Sequence, residues 1–223
     1  MRKSVQGKTA VITGGASGIG RATAHSLARR GAQVIVADID ADGADRVAGE
    51  ISEHGGRATG VRCDVRSESA FEELKAFTLD THRRVDIVMN NVGALTRGLP
   101  DHIPVHEWHR IFDINLFSVV RSNDVFLPLL VEQGSGHIVN TASFAGLYTY
   151  AYDRLPYAAA KAAVVQLSEG LALYLRPKHR CHVAVPGAGP DQHRGVSSTG
   201  LRSRDRDPGS RSSVRVSRTG GCR

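Results

Sequence analysis

Cysteine and aromatic residues are scarce in this chain of 223 residues, with three Cys and 5% Phe, Trp and Tyr together. Cys63, Cys181 and Cys222 are odd in number and lack CxxC or metal-ligand spacing. Neither a disulfide framework nor a zinc site is expected, and a reducing cytoplasmic compartment fits best. No run approaches 18 uncharged apolar residues, which argues against a membrane span. The opening Met1-Arg2-Lys3-Ser4 leads into a polar strand start, not the apolar core of a signal peptide. The ten His are scattered, none in HExxH or another ligand pattern, so no metal is expected.

The positive charge is unevenly placed. Of the net +7, the last 37 residues (187–223) carry +5, from eight Arg against three Asp, and residues 1–186 carry only +2. That tail holds seven Gly and seven Ser but no Lys and no aromatic residue. Its apolar residues follow neither a strand nor a helix period, and an irregular segment is expected. An RNA-binding reading of the tail finds little support, because no aromatic residue interleaves the arginines. With 41% hydrophobic and 23% charged residues, the rest has ordinary globular composition and enough chain for a substantial core.

Residues 1–186 read as one domain of alternating short apolar strands and amphipathic helices. Strands are predicted at Thr9–Thr13, Gln33–Asp38, Ala58–Cys63, Val85–Asn90, His137–Thr141 and Cys181–Val185. Helices are predicted at Gly18–Arg30, Asp40–His54, Ser67–Thr81, Glu107–Glu132 and Tyr152–Leu175. This alternation implies an α/β fold, a Rossmann-type doubly wound parallel sheet with helices on both faces.

Chemistry-bearing residues fall at the strand ends. The turn Thr13-Gly14-Gly15-Ala16-Ser17-Gly18-Ile19-Gly20 follows a strand and opens a helix. Its glycines permit positive φ and close backbone approach, and the helix N-terminus offers free N–H groups to a pyrophosphate. A tight turn without a ligand is the plainer reading. Asp38, ending the second strand, suits the ribose hydroxyls of a dinucleotide and would repel a 2′-phosphate, favouring NAD over NADP. A helix cap there is compatible with that role. Asp64 and Val65 close the third strand, where Asp64 would bond an adenine amino group and Val65 cover the ring; a strand-end cap explains them equally well. Asn90-Asn91-Val92-Gly93 either braces a cofactor or simply marks a turn. Asn115 lies in the apolar run from Ile111 to Phe117, where a buried amide must be satisfied.

Tyr157 and Lys161 stand four apart and share a helix face, and Ser143 lies 14 residues upstream of Tyr157. A phenol titrates near ~10. A neighbouring ammonium favours phenolate and lowers that value, which suits proton exchange with an alcohol. YxxxK is common on solvated helices; the serine and the glycine turn give it weight.

From about Lys8 to Val185 these residues resemble the short-chain dehydrogenase/reductase family. Its glycine motif falls on Thr13 to Gly20, its ribose-binding acid on Asp38 and its Asp-Val pair on Asp64 and Val65. Its Asn-Asn-x-Gly motif falls on Asn90, Asn91 and Gly93, with Val92 in place of Ala. Its catalytic tetrad falls on Asn115, Ser143, Tyr157 and Lys161. The resemblance implies reversible hydride transfer between NAD and a secondary alcohol or ketone. In that family Tyr is the acid/base, Ser positions the reacting oxygen, Lys binds the nicotinamide ribose and lowers the Tyr pKa, and Asn holds a relay water. A seven-stranded sheet and a homodimer or homotetramer are also implied, partly built on the helices of Asn115 and Tyr157.

Beyond the sixth strand the resemblance breaks off. Pro186-Gly187 matches the family's cofactor-contacting Pro-Gly pair, but neither its Thr nor a seventh strand follows. Val185 to Arg194 can be encoded as GTG CCC GGG GCC GGT CCG GAC CAA CAT CG. Read one base later, this gives Cys-Pro-Gly-Pro-Val-Arg-Thr-Asn-Ile, the continuation expected of the family. The C-terminus therefore resembles a frameshifted reading. The alternative to an active enzyme is a truncated or frameshifted product that at most binds nucleotide.

Overall fold

The computed structural model describes residues 5–148, 150–175 and 180–184. Among the described residues, six parallel strands form one sheet: β1 (Thr9–Thr13), β2 (Gln33–Asp38), β3 (Arg57–Arg62), β4 (Ile87–Asn90), β5 (His137–Thr141) and β6 (Arg180–Ala184). Their order is β3-β2-β1-β4-β5-β6. Strand order therefore reverses between β1 and β4, and the crevice at their carboxyl ends is where a doubly wound sheet takes its ligand. The helices are α1 (Gly18–Arg29), α2 (Ala41–Glu53), α3 (Glu68–His82), α4 (Val105–Phe112), α5 (Ser118–Glu132) and α6 (Leu155–Tyr174).

Side chains alternate across β1, β2, β4 and β5 and build two cores. Val11, Ile35, Val88 and Ile138 face Phe71 and Leu74 of α3 and Phe126 and Leu130 of α5. Ile12, Val34, Val36 and Met89 face Ala24 and Ala28 of α1 and Val47 and Ile51 of α2. Burial on both faces is why these strands read as near-continuous Val and Ile rather than as alternating apolar and polar residues. Val164 of α6 packs with Val119 and Ala142 in a third, smaller cluster.

Three departures from the sequence-based expectation have local causes. β4 begins at Ile87, not Val85, because the Val85 backbone is bonded by a side chain: Gln133 accepts from its N–H at 3.3 Å and donates to its carbonyl at 2.7 Å. The helix predicted at Tyr152–Leu175 begins at Leu155 after a 3-10 turn at Tyr152–Arg154, since Pro156 suits only a first helical turn. The long central helix is not uniform: a π-helical turn, Asp113–Phe117, separates α4 from α5. The run Val105–Glu132 has a mean hydropathy of 1.3 over its most apolar 18 residues and is apolar and long enough to cross a membrane. Ile111, Val119, Val125, Phe126 and Leu130 of this run are buried, while Val105, Phe117, Val120 and Val131 are exposed. Val185, Pro186, Gly187 and the place of a seventh strand lie outside the described residues.

Candidate active site

The glycine turn links β1 to α1 at the point where strand order reverses. Gly14 and Gly18 have φ of +66° and +53°, values that carry a strain penalty for residues with a Cβ. Gly20 is needed for contact rather than conformation. A Cβ there would fall within van der Waals distance of the Gly14 carbonyl oxygen and 2.8 Å from Asn91 Nδ2. Ser17 stands at the α1 N-cap without a side-chain capping bond, exposed beside Gly18 and half-buried Ile19. The first turn of α1 therefore presents N–H groups that no capping side chain covers, a site suited to an anion.

Around this turn the polar strand ends are joined. Thr13 Oγ1 donates to Met89 O at 3.3 Å and accepts from Asn91 N at 3.1 Å. Asn91 Nδ2 donates to Gly14 O at 3.2 Å, and Asn91 Oδ1 accepts from Thr141 Oγ1 at 3.2 Å. Asp38 ends β2 with one carboxylate oxygen accepting from Ala16 N at 3.0 Å and the other from Asp40 N at 3.1 Å. Its carboxylate is thus anchored beside the glycine turn.

Asp64 is less open than its sequence position suggested. Arg66 grips it at both oxygens, at 2.9 and 2.6 Å, and adds a backbone bond at 3.0 Å. The guanidinium holds the Asp64 carboxyl down at about 2. Val65 is buried. Cys63 packs in the core, where burial pushes its thiol up to about 11 and keeps it protonated.

Asn115 occupies the π turn. Such turns bond five residues back, here Ser118 N–H to Asp113 O, and are often found at functional sites. The Asn115 amide, fully buried, donates to Ile111 O and Ala94 O, both at 2.9 Å. Its own oxygen has no hydrogen-bond partner among the described residues. Gly93 lies against that oxygen: a Cβ at Gly93 would be 3.0 Å from Asn115 Oδ1 and 3.6 Å from Lys161 Nζ. Gly93, Asn115 and Lys161, far apart in sequence, therefore meet at one point.

Lys161 is 3% exposed. Its ammonium donates to Thr141 O at 2.7 Å and sits 5.9 Å from the centroid of the Tyr157 ring. No carboxylate pairs with it among the described ion pairs, and burial lowers its titration from 10.5 to about 8. Ser143, just past β5, accepts from Ala145 N at 3.2 Å, which leaves its hydroxyl proton to donate elsewhere. Sequence reasoning overlooked Thr141, whose contribution is a main-chain carbonyl, and Arg66, whose grip on Asp64 depends on loop geometry.

A family model described as short chain dehydrogenase matches residues 8–194. This chain belongs to that family. The 7alpha-hydroxysteroid dehydrogenase of Escherichia coli K12 is 35% identical over 185 residues, covering 82% of this chain and 72% of the relative. A short-chain dehydrogenase/reductase from Burkholderia phymatum, solved in complex with NAD, has a TM-score of 0.79 and 34% identity over 82% of this chain. The chain spans 66% of that protein's length. A metagenomic short-chain oxidoreductase solved with NADP has a TM-score of 0.78 and 31% identity, covering 83% and 85% of the two chains. Short-chain dehydrogenases of this fold thus bind either dinucleotide.

Proposed function

We propose that this chain catalyses reversible hydride transfer between NAD and a secondary alcohol or its ketone, with Tyr157 as acid/base. The observation that carries this reading is the buried, carboxylate-free ammonium of Lys161 beside the Tyr157 ring. A positive charge there stabilises phenolate, and it acts strongly because little water screens it.

The residues present fit a dinucleotide. Gly14 and Gly20 let the turn fold closely against Asn91, and at Gly18 a Cβ would meet no atom within 4 Å, so the N-terminus of α1 is open there. Asp38 is held beside the turn as a ribose acceptor, and its charge disfavours a 2′-phosphate, so NAD is the proposed cofactor. Thr13, Ser17, Gly18, Ile19, Asp64, Val65, Asn91 and Gly93 complete the proposed cofactor contacts. When bound, the nicotinamide supplies the hydride acceptor. Tyr157 takes the alcohol's hydroxyl proton, Ser143 donates a hydrogen bond to the same oxygen, and Lys161 keeps the phenol acidic. Asn115, with its unpartnered oxygen, holds a water for proton release. The proposed substrate is a small secondary alcohol or ketone, the proposed compartment the cytoplasm, and the proposed assembly a homodimer or homotetramer.

The test is NADH fluorescence titration of the purified chain with Asp38→Ala alongside. Saturable NADH binding, tighter than NADPH binding in the wild type and weakened about tenfold or more in Asp38→Ala, is expected, a loss of roughly 1.4 kcal/mol. Equal binding of NADH and NADPH in the wild type refutes the NAD assignment, and no binding by a folded chain refutes the reading as a whole.

A further inference from the structure

Tyr157 and Lys161 ride on α6, so their geometry depends on how that helix is seated against the sheet. Two neighbouring residues of β5 hold it. Thr141 offers its carbonyl to Lys161 Nζ at 2.7 Å. Asn140, fully buried, donates from Nδ2 to Ser168 Oγ at 2.8 Å. Ser168, 1% exposed, donates its own hydrogen bond to Val164 O at 2.7 Å. On its other side Asn140 accepts from Asn90 Nδ2 at 2.8 Å, and Asn90 and Asn140 are register partners on β4 and β5. Lys161 and Ser168 are seven residues, two turns, apart and lie on one face, roughly 10 Å from each other along the helix. The helix is therefore fastened to β5 at two points, one apolar-packed and polar-bonded at Ser168, the other at the lysine.

We propose that the Asn140–Ser168 pair is a positioning device for the reaction, fixing α6 along β5 so that Lys161 reaches Thr141 and stays beside Tyr157. The proposal rests on the assignment of Tyr157 and Lys161 as the acid/base pair. Packing does not require these residue types. Val164 packs beside Ser168 in an apolar cluster, with Val165 and Leu167 against it, and an apolar residue at 168 would extend that cluster. Apolar packing tolerates sliding, whereas a buried hydrogen bond is satisfied only at one axial setting, and its loss leaves Asn140 Nδ2 without that acceptor. The residue pattern also shows where the strand's chemistry is divided: Asn140 acts through its side chain on the far turn, and Thr141 through its main chain on the near turn. Neither Asn140 nor Ser168 touches the reacting atoms; both act through Lys161.

Ser168→Ala and Ser168→Thr test this with two readouts. Threonine keeps a hydroxyl able to bond four residues back. The first readout is the pH profile of kcat and KM for oxidation of a secondary alcohol with NAD. Ser168→Ala should lower kcat, by about 10²-fold if the reacting groups move by ~1 Å, move the profile to higher pH and leave NADH affinity within twofold. Ser168→Thr should restore both. The second readout needs no turnover: titration of isotopically methylated Lys161 by NMR. Its midpoint, about 8 in the wild type, should rise towards 10.5 in Ser168→Ala as the ammonium leaves Thr141 and meets water. If the wild type turns over no alcohol, the hydride-transfer reading fails by itself and the Lys161 titration still decides the positioning role. A folded Ser168→Ala with an unmoved Lys161 midpoint overturns the proposal, even if its melting temperature falls. Should Ser168→Ala prove insoluble, Ser168→Cys, of similar volume but a weak hydrogen-bonding group, replaces it in both readouts with the same outcomes.

Discussion

Lys161 makes the stability of this protein depend on pH in a way that can be worked out beforehand. In the fold its ammonium is buried and titrates at about 8; the ordinary value is 10.5. A tenfold change in proton affinity corresponds to about 1.4 kcal/mol, so keeping Lys161 charged in the folded state costs about 3 kcal/mol. Below pH 8 both folded and unfolded chains are protonated there, and the cost is borne in full. Between pH 8 and 10.5 the unfolded chain keeps the proton and the folded chain has released it, so this contribution to stability rises with pH. Above 10.5 the penalty has gone. Lys161→Met removes the titrating group and should flatten this part of the curve. The assay is urea unfolding of both proteins from pH 7 to pH 10.5, with the difference between them plotted against pH. The wild type should gain about 3 kcal/mol on the variant across that window. Parallel curves would show that Lys161 is solvated in the native state, where water screens its charge from Tyr157.

Other expectations concern the glycine turn and the C-terminus. Gly20→Ala drives a Cβ against the Gly14 carbonyl and should cost about 1–3 kcal/mol of stability and abolish NADH binding; thermal unfolding and fluorescence titration check both, and unchanged affinity would place the dinucleotide elsewhere. Sequencing the coding DNA tests the frameshift reading of residues after about Val185. A shift of one base should restore a strand and helix pattern downstream, and failure of every reading frame to do so would dismiss the idea.

Several strands were legible from short runs containing Val or Ile bounded by turn residues. β1, β2 and β5 lie where Thr9–Thr13, Gln33–Asp38 and His137–Thr141 placed them. The sequence pattern erred where a side chain took over a backbone role, as Gln133 does at Val85. It also passed over the π turn around Asn115, because one extra residue in a turn leaves the apolar periodicity of Glu107–Glu132 nearly intact. At the candidate site, spacing was enough to single out Gly14, Gly18, Gly20, Tyr157 and Lys161. It could not disclose that Arg66 covers Asp64, that the Thr141 carbonyl anchors Lys161, or that Asn140 ties β5 to Ser168. These contacts join residues remote in the chain or use main-chain atoms, and neither carries a sequence signature.

What decides the function is whether Tyr157 exchanges a proton with an alcohol while hydride passes to NAD. The direct measurement is NADH formation from a panel of secondary alcohols by the wild type and by Tyr157→Phe, each first shown to bind NADH. Turnover by the wild type is expected, with a loss of about 10²- to 10⁴-fold in Tyr157→Phe and NADH binding retained. Turnover that survives in Tyr157→Phe would contradict this assignment, as would a wild type that binds NADH yet oxidises none of the panel.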